Sequence, residues 1–161
     1  MTFKEQKELK PSYDQLSPLL ISGDTKAAMD DFIAYLQAIR LSPRWYANNA
    51  YNVKFKGKIL FRFSMHNNRL DLYFTVANTS DIDRVISSLP NDMEKFYFKN
   101  LRKCTGCNPA HGKGKRFVIL GNEYWGCAEP EIFFRNPTKD DLQCLIRFIP
   151  VRKENIQMHA K

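Results

Sequence analysis

No stretch of this sequence approaches the ~20 apolar residues that a membrane-spanning helix needs. Its first residues, Met-Thr-Phe-Lys-Glu-Gln-Lys, are charged, with no apolar run behind them. A secretory leader is not expected, and the chain reads as cytoplasmic, where thiols stay reduced. Histidine is scarce, with three in 161 residues, so a Ser/His/Asp or Cys/His catalytic centre has little to draw on. No internal repeat, low-complexity tract or linker divides the chain, and a single domain, residues 1–161, is the default at this length. Acidic residues are also short, 17 against 25 Lys and Arg, for a net charge of +8. From Lys95 to Asn122 there is no Asp or Glu, against seven basic residues: Lys95, Lys99, Arg102, Lys103, Lys113, Lys115 and Arg116. Such a patch suits nucleic-acid phosphates, offsets the formal negative charge of metal-bound thiolates, or is simply a solvated face.

The cysteines are few but clustered. Three of the four fall in the 24 residues from Cys104 to Cys127, together with His111. In a reducing compartment such clustering points to metal or redox chemistry rather than disulfides. The turn Cys104-Thr-Gly-Cys107 can present two thiolates to one ion, with Gly106 letting the backbone bend, and Asn108-Pro109 turns the chain again toward His111. Residues 116–120 and 123–125 flank Gly121-Asn122, a hairpin signature. A hairpin brings its ends together, which returns Cys127 to the knuckle. Cys104, Cys107, His111 and Cys127 then complete a tetrahedral, structural zinc site, whose binding free energy is folding free energy for the segment. Water, an Asp or His66 is the alternative to His111 as fourth ligand. A second C-x2-C is missing, so a redox-active C-x-x-C and metal-free thiols stay open. The redox pair prefers a helix N-terminus after a strand, and Asn-Pro-Ala-His-Gly after Cys107 does not read as a helix. No Glu adjoins the ligands to serve as the base of a catalytic zinc. Residues 111–116, His-Gly-Lys-Gly-Lys-Arg, lack the G-x4-G-K-[S/T] spacing of a phosphate loop. Cys144, beside Leu145, reads as a small buried hydrophobe.

Hydrophobic periodicity predicts an α+β fold: an antiparallel sheet of about five strands, helices mainly on one face, and a metal-pinned hairpin near the C-terminus. Residues 1–23, interrupted by Pro11 and Pro18, read as an arm packed partly on the body. Ala28, Met29, Phe32, Ile33, Leu36 and Ile39 recur at helical spacing, and Ser42-Pro43 ends that helix. Three runs of strict alternation follow, through Tyr51, Val53 and Phe55, then Ile59 to Met65, then Leu70 to Val76, an antiparallel meander with one buried face. Two helices over 82–89 and 91–101, a short strand over 132–135 and a helix opening at Pro137-Thr138 complete the chain. That last helix is expected to stop at Pro150, leaving 152–161 as a frayed tail. The aromatics Trp45, Tyr46, Phe61, Phe63, Tyr73 and Trp125 could line an apolar pocket on one sheet face, or pack as core.

The block from Arg44 to Val76, with Arg-Trp-Tyr, Val-Lys-Phe-Lys-Gly-Lys and two alternating strands, resembles small bacterial domains of the YdhG-like type. The resemblance implies a compact cytoplasmic α+β protein with a helix before a lysine-bearing meander. The cysteine segment is similar to the zinc knuckles attached to many small bacterial proteins. Neither supplies a catalytic residue. The functional expectation is a non-catalytic, regulatory or binding domain with a structural zinc, holding a small molecule or protein partner on its aromatic sheet surface. One alternative is a nucleic-acid-binding protein using Lys99, Arg102, Lys103, Lys113, Lys115 and Arg116. Another is a thiol redox enzyme.

Overall fold

A computed structural model describes residues 1–102, 104, 106, 107, 113–126 and 129–160. The chain begins with three helices, α1 (Phe3–Leu9), α2 (Tyr13–Leu20) and α3 (Gly23–Ala38). Four strands follow: β1 (Arg44–Ala47), β2 (Ala50–Phe55), β3 (Lys58–His66) and β4 (Arg69–Phe74). Helices α4 (Ile82–Ser87) and α5 (Asn91–Asn100) lead to the hairpin β5 (Lys115–Ile119) and β6 (Asn122–Gly126). Strand β7 (Ile132–Arg135) and helix α6 (Lys139–Met158) close the sequence. Strands β1-β2-β3-β4-β7 form an antiparallel five-stranded sheet, and β5-β6 a separate two-stranded one. This is the α+β architecture that the periodicity predicts. Among the described residues no helix is long and apolar enough to cross a membrane.

The meander follows from its turns. Lys56-Gly57 and Asn67-Asn68 both place two consecutive residues at positive φ, the combination whose twist matches a two-residue hairpin. Between the pairs Val53–Phe61 and Lys54–Ile59 the register shifts, and at this bulge Leu60 and Phe61 are both fully buried. Period two then sorts the remaining side chains onto two faces. One face, with Tyr51, Phe61, Phe63, Leu72, Phe74 and Phe134, meets the helices. Phe32 of α3 sits 5.4 Å from Phe61, Tyr13 of α2 5.9 Å from Phe63, and Phe148 of α6 6.4 Å from Phe74. Phe96 of α5 bridges Phe134 and Phe148 at 5.8 and 6.0 Å. The opposite face carries Arg62, Tyr73 and Phe133, which are half-buried, and Asn52 and Asp71, which are buried, with the Arg102 guanidinium laid over Tyr73.

Two expectations change, and the N-terminal arm gains detail. The arm is built of two short helices: α1 and α2 are capped by Thr2 and Ser12, and Pro18 lies inside α2 rather than ending it. Gln6 is 1% exposed and ties α1 to the β1–β2 turn, donating to Asn49 Oδ1 at 2.6 Å while its own oxygen accepts from the Asn49 amide and the Trp45 indole. The hairpin turn is Leu120-Gly121 rather than Gly121-Asn122, with both residues at positive φ and Ile119 paired with Asn122. Finally, α6 runs through Pro150 to Met158, so residues 152–158 are helical where a frayed tail is expected. Proline inside a helix costs about 3 kcal/mol. The turns beyond it are held by tertiary contacts that offset this cost. Arg152, Asn155 and Ile156 are buried, Arg152 Nη1 and the Asn78 amide both donate to Asn155 Oδ1, and Asn155 donates to Asp81.

Candidate functional site

Register builds the sheet face opposite the aromatic core residue by residue. Arg44 pairs with Asn52, Asn52 with Arg62, Arg62 with Tyr73 and Tyr73 with Phe133, so one row crosses all five strands. At ~4.8 Å per strand the row is roughly 19 Å long. A second row carries Ser64, Asp71 and Arg135. Arg62 and Arg102 both stack on the Tyr73 ring, their guanidinium carbons 5.0 and 4.9 Å from its centre, and the Phe133 ring lies 5.0 Å from Tyr73. Guanidinium groups favour aromatic faces because the ring quadrupole is negative there.

Glu131 anchors this cluster. It is 5% exposed, accepts from Arg62 at 2.9 Å, lies 3.8 Å from Arg102 and receives the Thr75 hydroxyl at 3.4 Å. The Arg102 amide donates to the Glu131 carbonyl at 2.8 Å. Burial pushes the Glu131 pKa up, and the two guanidinium groups and Thr75 pull against that shift. Nearby, Asp71 holds Arg69 and Arg135 at 3.2 and 3.3 Å. Six cations (Arg44, Lys54, Arg62, Arg69, Arg102 and Arg135) thus face two carboxylates, Asp71 and Glu131. Toward the β1 edge the balance is more one-sided. A cleft lined by Arg40, Arg44, Trp45, Tyr46, Asn52 and Lys54 contains three cations and no acid.

The six aromatics singled out from the sequence do not form one pocket. Phe61 and Phe63 lie in the core under the helices, Trp45 is fixed by Gln6, and Trp125 sits on the separate hairpin, its indole donating to Glu123. Only Tyr46, which is 48% exposed, and Tyr73 belong to the open face. The basic face between Lys95 and Arg116 is also divided. Arg102 turns to the sheet, and Arg116 pairs with Glu123 at 2.9 Å, so acids from outside that sequence window supply its counter-charge. Lys99, Lys113 and Lys115 are exposed, and Lys103 lies outside the described residues.

Of the four expected zinc ligands, Cys104 and Cys107 are described, while His111 and Cys127 lie outside the described residues. The Cys107 amide donates to the Cys104 carbonyl at 3.3 Å, closing the C-x2-C turn. Gly114, at φ +94°, has no room for a side chain: a Cβ there would stand 2.7 Å from Cys107 Cβ and Sγ and 3.1 Å from the Gly126 carbonyl. Cys104 and Gly126 line a common small cavity with Phe117, Tyr124 and Pro130. Both described thiols therefore stand at the open end of the β5–β6 hairpin, and Cys127 follows Gly126 in sequence. Among the described residues no group of three or more His, Cys, Asp or Glu could hold a metal ion. His66 does not join them. It pairs with Arg69, five residues along β3 from Phe61, whose row leads through Phe74 to Ile132 and Leu101, a separation of roughly 16 Å. Cys144 is half-buried on α6.

Sequence reasoning missed Glu131 and Arg62. Arg62 was legible as the polar partner in an alternating strand, but Glu131 sits between Pro130 and an apolar strand, with no local signal of burial. Compared with known proteins, the chain matches no family model, no curated protein and no solved structure.

Proposed function

We propose that this chain binds single-stranded nucleic acid on the face of its five-stranded sheet that carries Arg44, Arg62 and Tyr73, and that Cys104, Cys107, His111 and Cys127 hold a structural zinc beside it. The observation that carries the first reading is the cross-strand row Arg44–Asn52–Arg62–Tyr73–Phe133, flanked by Lys54, Arg69, Arg102 and Arg135. Cations follow the phosphate backbone, and rings such as the exposed Tyr46 and the half-buried Phe133 stack on unpaired bases, which need no sequence match. Asn52 adds an amide that both donates and accepts. The zinc reading is supported by the closed C-x2-C turn and by the contact of Cys107 with Gly114 at the hairpin's open end. A clasp there stiffens the segment that delivers Arg102 to Tyr73.

The test is fluorescence anisotropy with a labelled 12-nucleotide single strand and its duplex at about 50 and 200 mM salt. The expected result is tighter binding to the single strand and a steep salt dependence. Arg44→Gln and Lys54→Gln should each lower the salt slope by about 1. A flat slope, no binding at low salt, or unaltered affinity in both variants overturns the reading.

A further inference from the structure

The sheet's end at the Lys56-Gly57 turn holds a second cleft, between β2, β3 and the polar second half of α6. Its lining includes Lys54, Lys58, Arg62 and Arg152 as cations and Glu129 and Glu131 as acids. Glu131 is already shared between Arg62 and Arg102. Arg152 is the unusual member. It is 5% exposed, and its Nη1 donates to two neutral amide oxygens, Asn78 Oδ1 at 3.0 Å and Asn155 Oδ1 at 2.9 Å. Its Nε is buried without a hydrogen-bond partner among the described residues. Buried arginines are ordinarily matched by a carboxylate, because an uncompensated buried charge is costly. Here the amides orient the guanidinium, and no carboxylate among the described residues pairs with it. Burial accordingly lowers the Arg152 pKa, with the more distant Glu129 opposing that shift.

We infer that this cleft is a phosphate site, in which Arg152 is the buried, pre-oriented donor and Lys54 and Lys58 close over the anion from the β2–β3 hairpin. The guanidinium fork matches a tetrahedral oxyanion, and lysines add mobile point charges. Exposed Glu129 is the acid of the lining with no ion pair among the described residues, and it tunes the site by repelling the anion. The inference shares Lys54 and Arg62 with the nucleic-acid reading but does not require it. The phosphate is that of inorganic phosphate, of a monoester, or of the end of a strand.

The experiment titrates the full chain with inorganic phosphate, a mononucleotide, and a short oligonucleotide with and without a 5′-phosphate. Thermal stability is followed against chloride at matched ionic strength, since a ligand that binds only the folded state raises Tm by mass action. The expected result is saturable stabilisation by at least one phosphate source and not by chloride. Lys58→Gln should weaken the apparent affinity roughly tenfold, and Glu129→Gln should strengthen it. Both residues are exposed, so these variants fold whether or not Arg152→Met does. Phosphate acting no better than chloride, or equal apparent affinity in wild type, Lys58→Gln and Glu129→Gln, overturns the inference. Binding of inorganic phosphate without binding of single strands would leave this site standing and remove the nucleic-acid reading.

Discussion

Phe61 and Tyr46 are both aromatic residues on neighbouring parts of the meander, yet their positions assign them opposite work. Phe61 is fully buried, between Phe32, Phe63 and Phe74. Removing its ring leaves a cavity that a sheet stapled by helices cannot close, so Phe61→Ala should cost about 3–5 kcal/mol. Tyr46 projects from the edge strand and is largely exposed. Tyr46→Ala should alter stability by less than about 0.5 kcal/mol but weaken single-strand binding by about 1–3 kcal/mol. Urea unfolding and anisotropy on the two variants separate these effects, and equal losses in both assays would argue against a stacking role for Tyr46. The alternation that places Phe61 and Phe63 opposite Arg62 was readable in the sequence. It also separates Tyr73 from them, because Tyr73 pairs with Arg62. What was not readable is the pairing partner itself. Glu131 meets Arg62 across a sequence separation of 69, and no local pattern encodes such a contact.

Among the elements, α6 departs most from a sequence-level reading. Pro150 is a strong local stop, and the residues beyond it look polar enough for a tail. Their polar groups are in fact tertiary ligands: Asn155 and His159 both bond to Asp81, and Arg84 lies 3.6 Å from the same carboxylate. Local propensity lost to these contacts, as it does when a helix is held by packing rather than by its own residues. Hydrogen bonds from Asn155, then His159, hold the Asp81 carboxyl below its ordinary value of 3.8. A lowered folded-state pKa stabilises the fold above the unfolded value and loses that stabilisation as pH falls through the folded one. The Tm advantage of wild type over Asp81→Asn should therefore be full above pH 3.8 and shrink as acid protonates the carboxylate. A difference that stays constant down to acid would show that the ionised form contributes nothing specific. The meander and the C-terminal hairpin were legible because Gly and Asn mark positive φ so plainly. The one-residue error at Leu120-Gly121 arose because Leu120 is not a residue that advertises a left-handed turn.

At the scale of the whole molecule, the five-stranded sheet and the β5–β6 hairpin depend on different things. The sheet has a continuous aromatic core under four helices. The hairpin has Ile119 and Phe117 buried, Tyr124 stacked on Phe98 at 6.3 Å, and the Leu120 amide donating to Asp83 Oδ1 at 2.9 Å. A two-stranded hairpin is marginal alone in water, so its order rests on that docking and on whatever closes its open end. If a zinc ion joins Cys104 and Cys107 to His111 and Cys127, its removal should be felt there first. Hydrogen exchange measured before and after chelation should show β5 and β6 losing protection while β2, β3 and β4 keep theirs. Leu101 and Arg102 tie the same segment to β7 through the Leu101–Ile132 bridge and the Arg102–Glu131 bond. Chelation should therefore also loosen Arg102 from Tyr73 and change single-strand affinity. Protein purified without added metal that contains no zinc, and whose hairpin exchanges identically with and without chelator, would show that packing alone keeps β5 and β6 in place.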